Sequence, residues 1–365
     1  MKLTFPHMGN MYIVAKGMLE YLDLDVVVPP FSSKRTLSIG VKYGPEFACL
    51  PLKINLGNFI EARELGADTI IMAGGVGPCR FGLYAQVERE ILEDLGYKYE
   101  TLIFEPPDKH IGQFITKLKN VIGSNSWWKV FQAIKFGYQK SCAVDTIERK
   151  VQRLRPREKK VGTVDLIYKE ALRSIDAAQS YQSLEEITSL ALAKLENVPI
   201  DKDREVIKIG LLGEIFVLLE PFVNLDIERE LGRLGVEVTR SIYLSEWINS
   251  HLLMNFAKKD KKKPFSELAK PYLNYFVGGH GRETIGYAVG FTQEGFQGLI
   301  QIAPLTCMPE IVAHNILPKI RSEFNIPIMT IYVDEHSSQA GMVTRIEAFV
   351  DLIKRQKALT FPNTL

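Results

Sequence analysis

Cys49, Cys79 and Cys307 each stand in loop-like sequence: Ala48-Cys49-Leu50-Pro51, Gly77-Pro78-Cys79-Arg80-Phe81-Gly82 and Pro304-Leu305-Thr306-Cys307-Met308-Pro309. Each has a proline within two residues, and Cys79 and Cys307 follow segments that read as buried strands. A cysteine that only fills a core needs no such setting. Thiolates on loops after strands can converge on a metal or a reactive centre. Three of them suit an iron–sulfur cluster with one open iron, since an open position separates catalytic from structural metal sites. Proline and glycine fix these loops and expose backbone N–H groups that can hydrogen-bond to cluster sulfides. No CxxC run occurs, so three unrelated buried thiols stand as the alternative. Cys142, in Lys140-Ser141-Cys142-Ala143-Val144, has helical surroundings and reads as a packed thiol. As a fourth ligand it would close the cluster and make it a pure electron carrier.

Three further segments carry polar chemistry. Gly74-Gly75-Val76-Gly77-Pro78 follows a strand but is no G-x-G-x-x-G fingerprint, because the next helix starts only near Tyr84. Its glycines fit close approach of backbone to a cluster. In Gly278-Gly279-His280-Gly281-Arg282-Glu283, Arg282 and His280 could bind an anionic group. Asp334-Glu335-His336-Ser337-Ser338-Gln339-Ala340-Gly341 follows the last strand. There a Glu–His pair around His336 could act as acid or base, or the segment could simply cap a helix. H-E-x-x-H, Walker A and G-x-S-x-G motifs are all missing, which argues against zinc proteolysis, ATP hydrolysis within this chain and a serine nucleophile elbow.

The chain has 365 residues, enough for two domains and a helical piece. Hydrophobic residues make up 46% and charged residues 24%, as in an ordinary globular protein. A net charge of +2 gives no electrostatic case for nucleic acid. The cationic run Lys258-Lys259-Asp260-Lys261-Lys262-Lys263 reads as a solvated loop, with a docking patch for an acidic partner as the alternative. Pro6 breaks the start of the chain, so no secretory signal is expected, and no stretch is long and apolar enough to span a bilayer. Four widely spaced cysteines do not form a secreted disulfide framework. The expected compartment is the cytoplasm, where reduced thiols are free to bind metal.

The elements that must position these residues alternate β and α. Strands are expected at Asp25–Pro30, Asp68–Gly75 and Tyr99–Pro107, with helices near 51–65 and 84–95 between them. From 109 the β signal vanishes, and helices are expected at 109–121, 126–140, 142–153, 163–179 and 184–196. Strands return at Val206–Glu214, Val236–Thr239, Gly298–Pro304 and Pro327–Asp334, with helices at 224–234, 309–324 and 342–356. Near-continuous apolar strands alternating with helices predict an α/β fold with two Rossmann-like, doubly wound, mainly parallel lobes. The expected division is an N-terminal lobe over 1–108, a helical connector over 109–204 and a C-terminal lobe over 205–365.

The chain resembles the iron–sulfur subunits of 2-hydroxyacyl-CoA dehydratases and benzoyl-CoA reductases. More narrowly, it is similar to the stand-alone, anaerobic, acyl-CoA dehydratase activase-related branch. The likeness lies in Glu46-Phe47-Ala48-Cys49-Leu50-Pro51-Leu52-Lys53, Gly77-Pro78-Cys79-Arg80-Phe81-Gly82-Leu83-Tyr84 and Pro304-Leu305-Thr306-Cys307-Met308-Pro309-Glu310. Gly213-Glu214-Ile215 and Thr344-Arg345-Ile346-Glu347-Ala348-Phe349 add to it, and the Cys79 motif is the most specific. The resemblance implies a 4Fe–4S cluster held in the cleft by Cys49, Cys79 and Cys307. It implies reduction by a separate ATP-hydrolysing activator of the actin/Hsp70/sugar-kinase type, and a related second subunit. In the dehydratases the low-potential electron makes a ketyl radical from a 2-hydroxyacyl-CoA, and hydroxide leaves. No residue here identifies a CoA site.

Within that picture Arg80 opposes a very low potential unless paired, and could instead grip a substrate carbonyl or carboxylate. Glu46 and Lys53 flank Cys49 and could hydrogen-bond around the open iron. Three functions stay open: a dehydratase- or reductase-type enzyme subunit, a non-catalytic electron carrier for a partner enzyme, and a small-molecule-binding α/β protein without a cluster. Neither nucleic acid nor membrane is an expected partner.

Overall fold

Short aliphatic runs that are buried along most of their length become parallel strands, as sheets covered on both faces require. The computed structural model describes residues 1–75, 78–104, 119, 122–123, 125–251 and 265–360. Strands β1 (Leu3–Thr4), β2 (Thr69–Ala73) and β3 (Glu100–Phe104) form one parallel sheet in the order β1-β2-β3. Strands β4 (Ile207–Gly213), β5 (Val236–Arg240), β6 (Gly298–Pro304) and β7 (Ile328–Val333) form a second, in the order β5-β4-β6-β7. Every residue of β6 is buried.

The segment expected as a strand over 25–30 contributes only one parallel bridge, Val26 to Leu3, on the edge of β1 away from β2. Pro29 and Pro30 offer no N–H to extend the ladder. With that bridge counted, both sheets share one plan. The first strand lies inside, the second segment flanks it on one side and the later strands on the other. A topological switch point therefore lies between β1 and β2, and another between β4 and β6, at the strand ends where open α/β sheets bind ligands.

Helices α1 (Met11–Tyr21), α2 (Lys34–Tyr43), α3 (Leu50–Glu64) and α4 (Tyr84–Asp94) accompany the first sheet. Helices α5 (Trp127–Leu154), α6 (Thr163–Ala177) and α7 (Tyr181–Glu196) follow it, packed on one another over a core that includes Val144, Ile147, Ile175 and Leu195. Helices α8 (Ile215–Leu219), α9 (Ile227–Arg233), α10 (Leu244–His251), α11 (Phe265–Ala269), α12 (Gly281–Gln293), α13 (Met308–Phe324) and α14 (Gln339–Thr360) belong to the second sheet. The fold is thus α/β, two Rossmann-like lobes joined by helices. The two helices expected at 126–140 and 142–153 are one 28-residue helix. Ser141 does not interrupt it, because its hydroxyl bonds back to the Tyr138 carbonyl of the same helix at 2.6 Å. The expected helix at 109–121 and the Lys258–Lys263 run lie outside the described residues, apart from Lys119. Among the described residues no helix is long and apolar enough to cross a membrane.

The pieces are fastened by polar groups as well as by core. Buried Arg240 of β5 pairs with Glu148 of α5 and with Glu228 of α9. Glu148 also accepts from Asn10 at 2.6 Å and Tyr168 at 3.0 Å, so one carboxylate joins the start of α1, the helical connector and the second sheet. Nearby, Asp145 accepts the Ser245 N–H at 2.7 Å. Burial first, then the Glu148 charge, pushes the Asp145 carboxyl up to about 6. An unfolded aspartate titrates near about 4, so the folded chain binds this proton more tightly. That contribution favours folding on the acid side and is lost as pH rises through about 6. Thermal melts at pH 5 and pH 7 should show Asp145→Asn with a weaker acid-side gain than the wild type. Equal gains in the two proteins would reject the assignment.

Candidate functional site

Each of the three loop cysteines occupies the residue just before a helical turn. Cys49 precedes α3, Cys307 precedes α13, and Cys79 precedes the 3-10 turn Arg80–Leu83 that leads into α4. The local reason is legible: Pro51 and Pro309 fall in the first helical turn, where a missing N–H costs nothing. This position aims a side chain at the unpaired N–H groups of the first turn. Neither the Cys307 nor the Cys79 sulfur closes a capping hydrogen bond with its own turn, although the Glu310 N–H acts to lower the Cys307 thiol and the Phe81 N–H the Cys79 thiol. Cys49 instead meets the Tyr84 hydroxyl.

One side chain joins the three loops. Arg80 Nη1 donates to the Phe47 carbonyl at 2.7 Å, and Nη2 donates to the Thr306 carbonyl and hydroxyl, both at 2.8 Å. The residue after Cys79 is thereby bound to the loop before Cys49 and to the residue before Cys307. Thr306 carries a φ of +67°, a left-handed conformation costly for a β-branched residue. The two Arg80 bonds help hold it there. Gly278 and Gly279 close in from another side. A Cβ on Gly278 would lie 2.7 Å from the Cys79 nitrogen, and one on Gly279 would lie 3.0 Å from Pro309 and 3.7 Å from the Cys79 sulfur. No larger residue fits that approach without displacing the cysteine loop.

Glu214 follows β4 directly, at the β4/β6 switch point that also delivers Cys307. Its carboxylate accepts from the Phe216 and Val217 N–H groups at 3.0 and 3.1 Å. Burial pushes all three thiols up, Cys49 to about 11, and the Glu214 charge adds to the shift at each. Arg80 opposes it at Cys49 and Cys79. Burial also pushes Glu214 up, against its two amide bonds and the His280 ring. The thiols are therefore protonated near neutral pH, and a metal cation is the natural agent for turning them into thiolates.

Among the described residues no group of three or more His, Cys, Asp or Glu side chains is placed to hold a single metal ion. A four-iron cluster asks for something else, since each thiolate binds its own iron and the sulfurs stand further apart. Three thiols in walls of glycine and backbone N–H groups fit that donor chemistry.

The remaining expected residues lie elsewhere. Lys53, one turn into α3, pairs with Glu335 at 2.5 Å and donates to the Glu46 carbonyl at 3.2 Å. Burial raises the Glu335 carboxyl, but the Lys53 bond outweighs it and the net shift is downward. Lys53 thus binds the first lobe to the loop after β7, and Glu46 takes part through its backbone. His336 is on that loop, in a turn where its N–H bonds Asp334 at 3.0 Å, beside a surface depression of about 300 Å³ shared with Ser338 and Arg345. Arg282 donates to the Ser266 carbonyl at 3.2 Å, and His280 faces Glu283 at 3.5 Å. Cys142 sits on α5 among Tyr138, Asp145 and Ser245. Val76 and Gly77 lie outside the described residues.

Glu214 and Tyr84 stand inside segments that carry the resemblance, but nothing in the sequence gives either of them a role. A Glu directly after a glycine-ended strand was the one available signal. No family model matches the chain, and no curated protein matches it.

Proposed function

We propose that Cys49, Cys79 and Cys307 hold a 4Fe–4S cluster with one iron left open, in a cytoplasmic protein of the 2-hydroxyacyl-CoA dehydratase type. The observation that carries this reading is the Arg80 side chain, bonded at once to the loops of Cys49 and Cys307 from its place beside Cys79. Three thiols far apart in sequence are otherwise under no need to share one clamp. When bound, such a cluster supplies low-potential one-electron reduction, fed by an ATP-hydrolysing activator, and a Lewis-acidic iron for an acyl-CoA oxygen.

The chain's own residues have narrower tasks. The Phe81 and Glu310 N–H groups act on the Cys79 and Cys307 sulfurs in the direction that eases their negative charge. The Tyr84 hydroxyl does the same at Cys49. Arg80 spends its N–H groups on carbonyls and a hydroxyl, which favours a positioning role over a grip on substrate. A second reading, the electron carrier, draws support from Glu214, whose charge acts on all three thiols. A carboxylate there on the fourth iron would close the cluster.

Anaerobic reconstitution tests the proposal. The wild type should bind about four irons and four sulfides per chain. Cys49→Ala, Cys79→Ala and Cys307→Ala should each lose most of them, and Cys142→Ala should keep them. Folded wild-type protein that takes up no iron would sink the cluster and the redox chemistry together. A bound cluster whose electron paramagnetic resonance spectrum ignores added acyl-CoA would favour the carrier.

A further inference from the structure

A second polar site lies at the other switch point. β1 ends at Thr4, and the chain then runs through Phe5-Pro6-His7-Met8-Gly9 off its carboxyl end. The His7 ring is 1% exposed. Its Nδ1 stands 3.1 Å from Glu220 Oε2, a buried carboxylate at the end of α8 in the other lobe. The same oxygen accepts the Gly9 N–H at 2.8 Å, and Oε1 accepts the Phe222 N–H at 3.2 Å. A carboxylate taking that set of donors is an acceptor toward His7, so Nδ1 carries the hydrogen. With Nδ1 as the donor, the lone pair of an imidazole falls to Nε2. That nitrogen is buried and has no hydrogen-bond partner among the described residues.

Buried acceptors are ordinarily satisfied, and each exception calls for a reason. An imidazole oriented by a carboxylate through Nδ1, with Nε2 free, is the arrangement by which histidine accepts a hydrogen bond or a proton from a reacting hydroxyl. The surroundings are aromatic. Tyr12 stacks on the ring with centroids 5.8 Å apart and planes 14° apart, and Phe31 meets it edgewise at 5.1 Å. Phe31 itself is 67% exposed, on an irregular segment directly after Pro29 and Pro30. Phe31 also meets Tyr12 edgewise at 5.4 Å, so one aromatic neighbour of His7 is a solvent-facing side chain outside any helix or strand.

We propose that His7 and Glu220 form a binding site for a small hydroxyl-bearing molecule with an apolar, ring-like body. Its O–H donates to His7 Nε2, its body packs against Tyr12, and Phe31 covers the entrance. The site depends on no metal and stands apart from the cysteine chemistry, so it can be tested in the chain without a cluster.

The probe is benzyl alcohol, and the readout is the ¹⁵N resonances of the His7 ring. In the free protein Nε2 should be unprotonated, and Glu220→Gln should mix the two tautomers. Millimolar benzyl alcohol should move the His7 Nε2 resonance and leave His280, His314 and His336 in place. Phe31→Ala, a change at an exposed position, should keep the fold and raise labelling of His7 by diethyl pyrocarbonate several-fold. A protonated Nε2 in the free chain would overturn the proposal. So would a resonance that benzyl alcohol leaves unmoved in both wild type and Phe31→Ala, the result expected if an internal water alone satisfies the nitrogen.

Discussion

Arg80→Ala is expected to fold and to lose most of its iron on anaerobic reconstitution. The side chain holds three hydrogen bonds across three loops, and all of them end on groups of the Cys49 and Cys307 loops. Bonds from a charged donor are worth about 1.5–3 kcal/mol each when buried, but this guanidinium is partly exposed, so its effect on global stability is smaller. The effect on the site is larger, because without the clamp the strained Thr306 backbone is free to relax and carry Cys307 with it. Arg80→Lys should not rescue the variant, since an ammonium lacks the planar fork that reaches two loops together. Iron and sulfide content, with the rate of iron loss to a chelator, measures the outcome. Full occupancy at wild-type chelator resistance would remove Arg80 from the positioning role. If substrate affinity alone then fell, the guanidinium would be a substrate group instead.

Arg240→Ala should be the most damaging single change outside the site, at about 3–5 kcal/mol. Arg240 is 6% exposed and lies between Glu148 and Glu228. Removing it leaves Glu148 buried without its cation, still fixed by Asn10 and Tyr168. The loss comes from the stranded charge more than from the missing pair. Replacing both partners, Arg240→Met with Glu148→Met, should therefore recover much of the stability lost by the single variant. Denaturant midpoints of the two variants decide this. A single variant within about 1 kcal/mol of wild type would mean that the pair is effectively solvated.

The sequence by itself determined the class of fold and the local setting of each cysteine. Runs such as Gly298–Pro304, buried throughout, and Ile328–Val333, partly buried, are apolar enough to be strands wherever they fall, and hydrophobicity is a property of the residues themselves. Proline one or two residues from Cys49, Cys79 and Cys307 likewise acts on its own neighbours, through φ and a missing N–H. Both signals are short-range, which is why they can be read without coordinates. The break expected near Ser141 failed on a short-range detail, a hydroxyl that bonded its own helix. Only the tertiary structure decided what meets what. Arg80 reaches backbone carbonyls, which every residue has and no composition betrays. Lys53, beside Cys49 in the chain, turns to Glu335 because the loop after β7 packs there. His7 and Glu220 lie in different lobes, and the burial that leaves Nε2 without a partner among the described residues exists only once those lobes close.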